Sequence, residues 1–537
     1  MSRRRKPGAM VAVATVGLIA AGAGTAVATQ SPGTSRGPST KTPPYVIPVG
    51  DGVSTKSLLT VGDTIDGYRM VGIPDGLGAI RNGRSIELYM NHELRPDRGV
   101  VRRHGQTGAF VSRFSIDRRN FKVSDGYDLI NPGVSFFDYP TQTFGAAPST
   151  GGPNPRDPGV DPVEQFLPQS AAFSRFCSGS LTAPGQLYNK KSGRGYDGQL
   201  WFANEEAGDE GRVFSVTEDG TAQQLPRLGL FSWENTLAAA NKTDRTLVQG
   251  QEDAATGQIW TYVGTKRSKG TAAAQAGLTN GTQGVIDTID ESVSTDAEFR
   301  AKYGKGKAAE VDLSEVDWDQ SGAAQNREAA ADGLTLNRIE DGAWDPKSPN
   351  DFYFLTTEGG DKTPAPGTTS SRDGGGLWKL SYEDIENPEL GATLTLLLDG
   401  SEAPYLNKPD NMDIDRDGNL LIQEDPGTNP QLARIIAYRI SDGARGVLAR
   451  FDGRLFSPVT PNGTDAKLTT DEESSGIIDA SKLIGRGWFL FDAQVHKPSP
   501  DPELVEEGQL LAMYVDNFDD VYDGDEQSVE EDEVKPK

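Results

Sequence analysis

Carboxylate side chains recur along this chain where apolar, strand-like segments begin and end. Six such segments run into a small polar cluster, and each is preceded by another segment that opens on polar or reactive residues. Carboxylate oxygens bind hard cations such as Ca²⁺, so this pattern could hold metal ions. The residues at these positions are Asp75, Asn91, Glu93, Cys177, Glu205, Glu206, Glu234, Glu252, Asp253, Glu340, Asp341, Glu358, Asp410, Asn411, Glu424 and Asp425.

One repeat unit shows how the two kinds of position come together. Residues 409–425 comprise a strand-like segment, a tight turn at Asp417-Gly418 and a second strand-like segment. In an antiparallel pair, the start of the first strand and the end of the second lie at the same edge. Repetition of such a unit is typical of a propeller, in which the first strand of each blade lines a central channel. The sequence therefore predicts an all-β, six-bladed β-propeller with rim insertions that contain short helices.

The predicted propeller gathers these acids at one mouth of the channel, where they need counter-charge. Two like charges about 4 Å apart repel by about 4 kcal/mol at an effective dielectric constant of about 20. Multivalent cations would supply the counter-charge, and we expect calcium among them. The predicted metal ligands are Cys177, Glu205, Glu206, Glu234, Glu252, Asp253, Glu340, Asp341, Asp410 and Glu93.

The one cysteine of the chain, Cys177, occupies a strand-start position that carries a carboxylate in other units. A thiolate among carboxylates favours iron or another transition metal over calcium alone. A lone cysteine is otherwise a small buried apolar residue. The sequence leaves both interpretations open, and a single cysteine excludes an internal disulfide.

Arg338 is the cation whose position best suits a substrate, because it stands two residues before Glu340. A guanidinium group can hold a phosphate group through two hydrogen bonds, and it can equally form a salt bridge with neighbouring acids. Metals and an arginine beside an acidic cavity suit the hydrolysis of phosphate esters. We therefore predict Arg338 and Glu340 as catalytic residues, and Arg338 and Asn411 as substrate-binding residues.

Composition and motifs exclude several functional classes. The 537 residues carry a net charge of −25, whereas nucleic-acid binding needs a basic surface. The sequence contains three histidines and no HExxH motif, G-x-S-x-G elbow or P-loop, which argues against a zinc protease, an α/β-hydrolase and a P-loop NTPase. We expect a monomer that acts on small-molecule phosphate esters and binds neither nucleic acid nor, after signal cleavage, a membrane.

The first residues have the pattern of a cleaved export signal. A basic stretch at residues 2–6 precedes an apolar stretch at residues 9–23, and Ala26-Val27-Ala28 is a small-x-small cleavage site. The apolar stretch is too short and too rich in glycine for a good membrane anchor. We predict a signal peptide at residues 1–28 and a secreted mature protein, exported by either the general secretory or the twin-arginine route.

Composition also divides the rest of the chain. Residues 29–56 are rich in Ser, Thr and Pro and predict a disordered leader. Residues 57–515 are predicted to form a single propeller domain, with a helical insertion at residues 265–331. Residues 516–537 predict an acidic, disordered tail.

Several stretches, taken in order, resemble the PhoX-type alkaline phosphatases, a family of secreted bacterial β-propeller enzymes. The resemblance spans residues 74–425, with residues 494–511 as a candidate last blade. Asn204 departs from the pattern, because the family has a cysteine before its paired glutamates. The stretches that carry the resemblance are PDGLGA at 74–79, YMNHEL at 89–94, FCSGSL at 176–181, ANEE at 203–206, RIEDGAWDP at 338–346 and PDNMDIDRDGNLLIQED at 409–425.

The resemblance implies a mixed cluster of iron and calcium, with a metal-bridging oxygen as the nucleophile. By this resemblance Cys177 is the iron-bound thiolate, and Glu252 and Glu340 ligate metal. Arg338 would hold the phosphate group. Further ligand candidates from the same resemblance are Asp341 and Glu206.

We therefore predict a secreted, metal-dependent phosphatase of the PhoX type that works in the central mouth of a propeller. Two other functions are compatible with the same fold. One is a calcium-dependent lactonase or esterase, which needs no arginine to hold a phosphate group. The other is a non-catalytic extracellular binding propeller that calcium stabilises.

Overall fold

A computed structural model describes residues 31–156, 165–364, 372–427, 429, 431–456 and 468–523. The predicted signal peptide at residues 1–28 lies outside the described residues.

Antiparallel strands follow one another along the chain and form six blades. The innermost strands of blades 1 to 6 are Pro74–Asn82, Ser180–Leu181, Trp233–Ala238, Ile339–Trp344, Pro409–Ile414 and Glu472–Asp479. The second strands are Ser85–His92, Leu200–Asn204, Arg245–Glu252, Asp351–Thr356, Asn419–Glu424 and Trp488–Pro498. The third strands are Phe110–Asp117, Val213–Thr217, Ile259–Thr265, Gly376–Tyr382, Arg434–Arg439 and Glu506–Val515. The fourth strands are Val123–Asp128, Ala222–Gln224, Thr282–Thr288, Ala392–Leu398, Arg445–Phe451 and Val53–Thr60.

The six blades close into a ring around a central channel. Each innermost strand contacts the innermost strand of the next blade, and that of blade 6 contacts that of blade 1. A hydrophobic core lies between each pair of neighbouring blades. The middle strands are covered on both faces, so all of Asn419–Glu424 is buried, including the polar residues on either side of Leu420, Leu421 and Ile422. This arrangement confirms the predicted all-β, six-bladed propeller.

Residues from the N-terminal part of the chain complete the last two blades. Val53–Thr60 pairs antiparallel with Glu506–Val515 in blade 6, and Thr34–Arg36 adds a parallel strand outside it. Val46–Pro48 pairs with Arg445–Phe451 in blade 5. The described part of the predicted disordered leader is therefore ordered, because its backbone N–H and C=O groups form hydrogen bonds with the outer strands of two blades.

The predicted helical insertion contains helices and also strands. The helices in it are Ala272–Gln275 and Asp296–Lys302, and Gly322–Asp332 crosses its end. The added strand Ala308–Val316 pairs with the outer strands of blades 3 and 4 and joins them into one nine-stranded sheet.

Short helices and hairpins occupy the remaining rim. The helix Phe518–Tyr522 is ordered at the start of the predicted disordered tail, because Val521 and Tyr522 are buried against the propeller. None of the helices in the described ranges has the length and apolar character needed to cross a membrane. The other rim elements are the helices Gly208–Glu210, Pro226–Leu228, Pro388–Leu390 and Gly453–Phe456 and the paired strands Thr64–Ile65 with Tyr68–Arg69, Phe136–Asp138 with Thr143–Gly145, and Tyr188–Asn189 with Arg194–Gly195.

Candidate metal centre

Antiparallel pairing brings the start of each innermost strand beside the end of the second strand. In blade 1 Asp75 is paired with Asn91, and in blade 5 Pro409 is paired with Glu424. In blade 3 Trp233 is paired with Glu252. The polar residues at these positions therefore meet at one end of the channel, as the repeat unit predicts.

Seven of these residues have side chains close enough to share cations. They form three overlapping groups in which the potential ligand atoms lie within 4.8 Å of one another. We call the seven residues the acid cluster; they come from five blades. Its members are Asp75, Glu93, Cys177, Glu206, Glu234, Glu340 and Asp410.

The acid cluster is desolvated, and some of its buried oxygens have no hydrogen-bond donor among the described residues. Burial raises the pKa of Glu234 well above its usual range, and the nearby charges of Asp75 and Glu206 raise it further. Burial likewise raises the pKa of Glu340 and of Asp410, again with help from neighbouring acids. Among the described residues, Oε1 of Glu234 has no hydrogen-bond partner although it is buried. Buried oxygens without donors fit multivalent cations, since a bound cation satisfies them and removes their mutual repulsion.

Cys177 lies inside the acid cluster and bridges two of its three groups. Its thiol is buried, and Sγ donates to Oδ2 of Asp75 at 3.4 Å. Burial raises the pKa of this thiol, and the charges of Asp75 and Glu234 raise it further. A sulfur ligand among oxygen ligands fits a site that takes a transition metal together with a hard cation.

Arg338 lies at the edge of the acid cluster, where it is bound to carboxylates. Its Nε and Nη2 donate to the two carboxylate oxygens of Asp253, each at 2.8 Å, and Nη2 lies 3.3 Å from Oε1 of Glu340. About a third of the side chain, 32%, is exposed. Asp253 therefore pairs with the arginine rather than joining the acid cluster, and the arginine side chain remains partly exposed.

Three other predicted ligands lie outside the acid cluster, and their carboxylates accept hydrogen bonds from protein groups. Glu205 lies in a buried ion pair, in which its carboxylate oxygens lie 2.5 and 2.7 Å from Nε and Nη2 of Arg212. Oε2 of Glu252 accepts from the indole of Trp260 at 2.9 Å and from a backbone N–H. Asp341 accepts from the side chain of Asn235 at 2.6 Å and from two backbone N–H groups. Glu205 and Glu206 directly follow the strand Leu200–Asn204, and Glu205 turns to Arg212 whereas Glu206 belongs to the acid cluster.

Replacing Glu205 by glutamine is expected to destabilise the fold without removing metal. The change leaves the Arg212 guanidinium buried without its counter-charge, which costs about 3–5 kcal/mol. The unfolding midpoint in guanidinium chloride and the metal content of the folded variant are the measurements. Glu389→Gln is the control, because it breaks an exposed ion pair with Arg245 and should cost at most about 1 kcal/mol. Loss of bound metal at unchanged stability would return Glu205 to the ligand set.

Asn411 and Asn204 support the loop that carries Cys177. Asn411 is buried, and its amide donates to the hydroxyl of Ser178 at 2.5 Å. The amide of Asn204 donates to the carbonyl of Ser178 at 2.5 Å, and its oxygen accepts from Thr236. These contacts suit residues that position the neighbouring ligands.

Arg175, which was not predicted as a site residue, holds two members of the acid cluster. Its Nε donates to Glu93 at 2.7 Å, and its Nη2 lies 2.5 Å from Glu206. A signal was present in the sequence: Arg175 precedes Cys177 by two residues, as Arg338 precedes Glu340.

Blade 6 contributes further polar residues that the sequence analysis did not assign to the site. The amide of Gln494 donates to Asp75 at 3.0 Å and to Glu93 at 3.3 Å. Asp492 is fully buried, and neither of its carboxylate oxygens has a hydrogen-bond partner among the described residues. Burial lowers the pKa of His496, but hydrogen bonds to Glu473 and Glu506 outweigh this effect and raise it to about 11. Blade 6 therefore adds the unpartnered carboxylate of Asp492 near Asp75 and the imidazolium charge of His496.

The fold and the desolvated acids at the channel mouth define a propeller whose central site can bind cations. The family model described as "Alkaline phosphatase PhoX" matches residues 190–476, more than half of the chain. The chain therefore belongs to the PhoX alkaline phosphatase family and is a phosphoric ester hydrolase.

The solved structure of another PhoX protein agrees with the fold. The structure of Pseudomonas fluorescens PhoX in complex with vanadate, a transition state analogue, aligns with a TM-score of 0.58 and 12% identity, covering 87% of this chain and 96% of that chain. At this identity the likeness shows the fold alone. A luciferin-regenerating enzyme also aligns, at 12% identity with a TM-score of 0.33, over 86% of this chain and 95% of that chain. No curated protein matches the chain.

Proposed function

We propose that this protein is an exported phosphatase that uses cations bound by the acid cluster to hydrolyse phosphate esters. The observation that carries the proposal is the position of an accessible arginine beside a desolvated group of carboxylates and one thiol. Membership of the PhoX family supports it. The export signal proposed for residues 1–28 supports secretion of the mature chain.

The residues that would hold the cations follow from the three overlapping groups. Glu234, Glu340 and Asp410 offer oxygen ligands of the kind that calcium prefers, whereas Cys177 with Glu206 suits iron. Cations held by these residues would neutralise the acids and would supply Lewis-acid chemistry for the attack of an oxygen nucleophile on the phosphate ester. Glu252 and Asp341 stay candidate ligands only by family resemblance, because protein donors already engage them.

The chain itself would bind and orient the phosphate group. Arg338 can offer two parallel N–H groups to two phosphoryl oxygens, which is the geometry that it now uses with Asp253. Glu340 lies beside this guanidinium group and would fix its position from the acid-cluster side. Asn411 would act through Ser178, because its burial keeps it from the substrate.

Two measurements on the purified mature protein test the proposal. We expect hydrolysis of p-nitrophenyl phosphate, and we expect elemental analysis to find calcium together with iron. Vanadate should inhibit the reaction, because it mimics the five-coordinate phosphorus of the transition state. Calcium without iron, combined with hydrolysis of a lactone or carboxylic ester and no phosphatase activity, would overturn the proposal.

A further inference from the structure

A backbone conformation is repeated at the entrance to four of the innermost strands. In each case the residue two positions before a member of the acid cluster has a positive φ, although it is not glycine. This conformation costs a residue with a side chain about 1–3 kcal/mol and occurs preferentially at functional sites. The residues and their φ angles are Ile73 at 49°, Arg175 at 39°, Arg338 at 53° and Lys408 at 52°, before Asp75, Cys177, Glu340 and Asp410.

Arg175 repeats the contacts of Arg338 as well as its backbone conformation. Arg175 binds two carboxylates through Nε and Nη2, which are the same two atoms that Arg338 uses. The exposed fractions of the two side chains are also similar, at 38% and 32%. Among the described residues, Nη1 of each arginine has no hydrogen-bond partner. Each guanidinium group therefore retains donors that a ligand in the mouth could use.

Three members of the acid cluster connect the two arginines. Nη2 of Arg175 lies 2.5 Å from Glu206, and a ligand oxygen of Glu206 lies within 4.8 Å of one of Glu234. Glu234 is in turn grouped with Glu340, whose Oε1 lies 3.3 Å from Nη2 of Arg338. The two guanidinium groups therefore flank the same carboxylates, one from blade 2 and the other from blade 4. An anion that enters the mouth beside Glu206 would be within the electrostatic reach of both.

We propose that Arg175 is a second substrate contact and that it selects phosphomonoesters over phosphodiesters. This inference rests on the proposed function. A monoester carries three non-bridging oxygens and two negative charges near neutral pH, whereas a diester carries two such oxygens and one charge. Arg338 can hold two oxygens, so the third oxygen of a monoester is free to accept from Arg175. A diester has no third non-bridging oxygen for Arg175 to contact.

Replacing Arg175 by glutamine tests this role with two substrates. We expect kcat/KM for p-nitrophenyl phosphate to fall about a hundredfold, because removal of one donor to transition-state charge typically costs 10²–10³. We expect kcat/KM for bis(p-nitrophenyl) phosphate to change by less than about threefold. Inhibition by inorganic phosphate, which reports binding without turnover, should weaken by a factor similar to the loss on the monoester.

Control variants separate this role from a structural one and from failure of the proposed function. Arg194→Gln removes an arginine whose exposed ion pair with Asp244 lies away from the acid cluster, and it should leave both activities unchanged. Elemental analysis and the unfolding midpoint show whether Arg175→Gln keeps its metals and its fold. Equal losses on both esters, or no loss on either, would overturn the role of Arg175. A wild-type protein that hydrolyses neither ester would instead overturn the proposed function.

Discussion

Arg338→Ala is expected to lose at least about a hundredfold in kcat/KM for p-nitrophenyl phosphate. The reason is that phosphoryl transfer depends on positioning and on stabilising charge that spreads over the phosphoryl oxygens. Arg338 lies against Glu340 in the acid cluster and is partly exposed to the mouth, so its two parallel donors can reach an anion there. Steady-state kinetics and the inhibition constant of vanadate measure the loss, and both should change in the same direction.

Two further variants sharpen the Arg338 experiment. Arg338→Lys keeps the positive charge but cannot hold two oxygens in parallel, so it should remain at least about tenfold below the wild type. Arg245→Ala removes an exposed arginine that pairs with Glu389 on the rim, and it should have normal activity. Full activity in Arg338→Ala, with metal content unchanged, would reduce Arg338 to a structural partner of Asp253.

Removing the cations is expected to lower both the thermal unfolding midpoint and the phosphatase activity. Without cations, the six carboxyl groups and the thiol of the acid cluster keep only the counter-charge of Arg175 and Arg338, and each close pair of ionised groups costs about 4 kcal/mol at an effective dielectric constant of about 20. A ligand present at 100 times its dissociation constant contributes about 2.7 kcal/mol to the stability of the folded state. Chelation by excess EDTA should therefore lower the midpoint by several degrees, as measured by differential scanning calorimetry.

The chelation experiment has a matched control and a clear contrary result. EDTA that is already saturated with iron(III), which it binds far more tightly than calcium, can extract neither metal and should leave the midpoint unchanged. Adding calcium and iron back to the stripped protein should restore stability first and activity only when both are present. If elemental analysis confirms that all cations have been removed and the unfolding midpoint is still unchanged, the proposal that cations fill the mouth is wrong.

Local pairing made the position of the acid cluster predictable. A tight turn sets the register of two strands, so the start of one and the end of the other must meet at one edge. Asp75 beside Asn91 and Pro409 beside Glu424 follow from this rule alone. The pairing rule did not predict the direction in which each side chain points. Glu205 and Glu206 are adjacent in sequence, and only the burial of Arg212 beside Glu205 decides which of them faces the channel.

Contacts between distant parts of the chain were not predictable from local pattern. Residues 53–60 have few strong strand signals, yet they complete a blade whose first three strands lie more than 400 residues away. The contribution of Gln494 to the site likewise depends on blade 6 lying beside blade 1. Arg175 was missed for a different reason: its spacing before Cys177 was visible, but only the structure shows that its guanidinium group turns towards Glu93.

The strand Val53–Thr60 holds the two ends of the propeller together by pairing with Glu506–Val515. During synthesis the ring cannot close before Glu506–Val515 has been made, because this strand lies near the C-terminal end of the propeller. Until then the nascent chain exposes unpaired strand edges. Asp75 and Gln494, which lie on either side of this junction, come together only at closure. A centre shared among so many blades therefore assembles in one late step. The compartment in which that step takes place decides which ions are available to it.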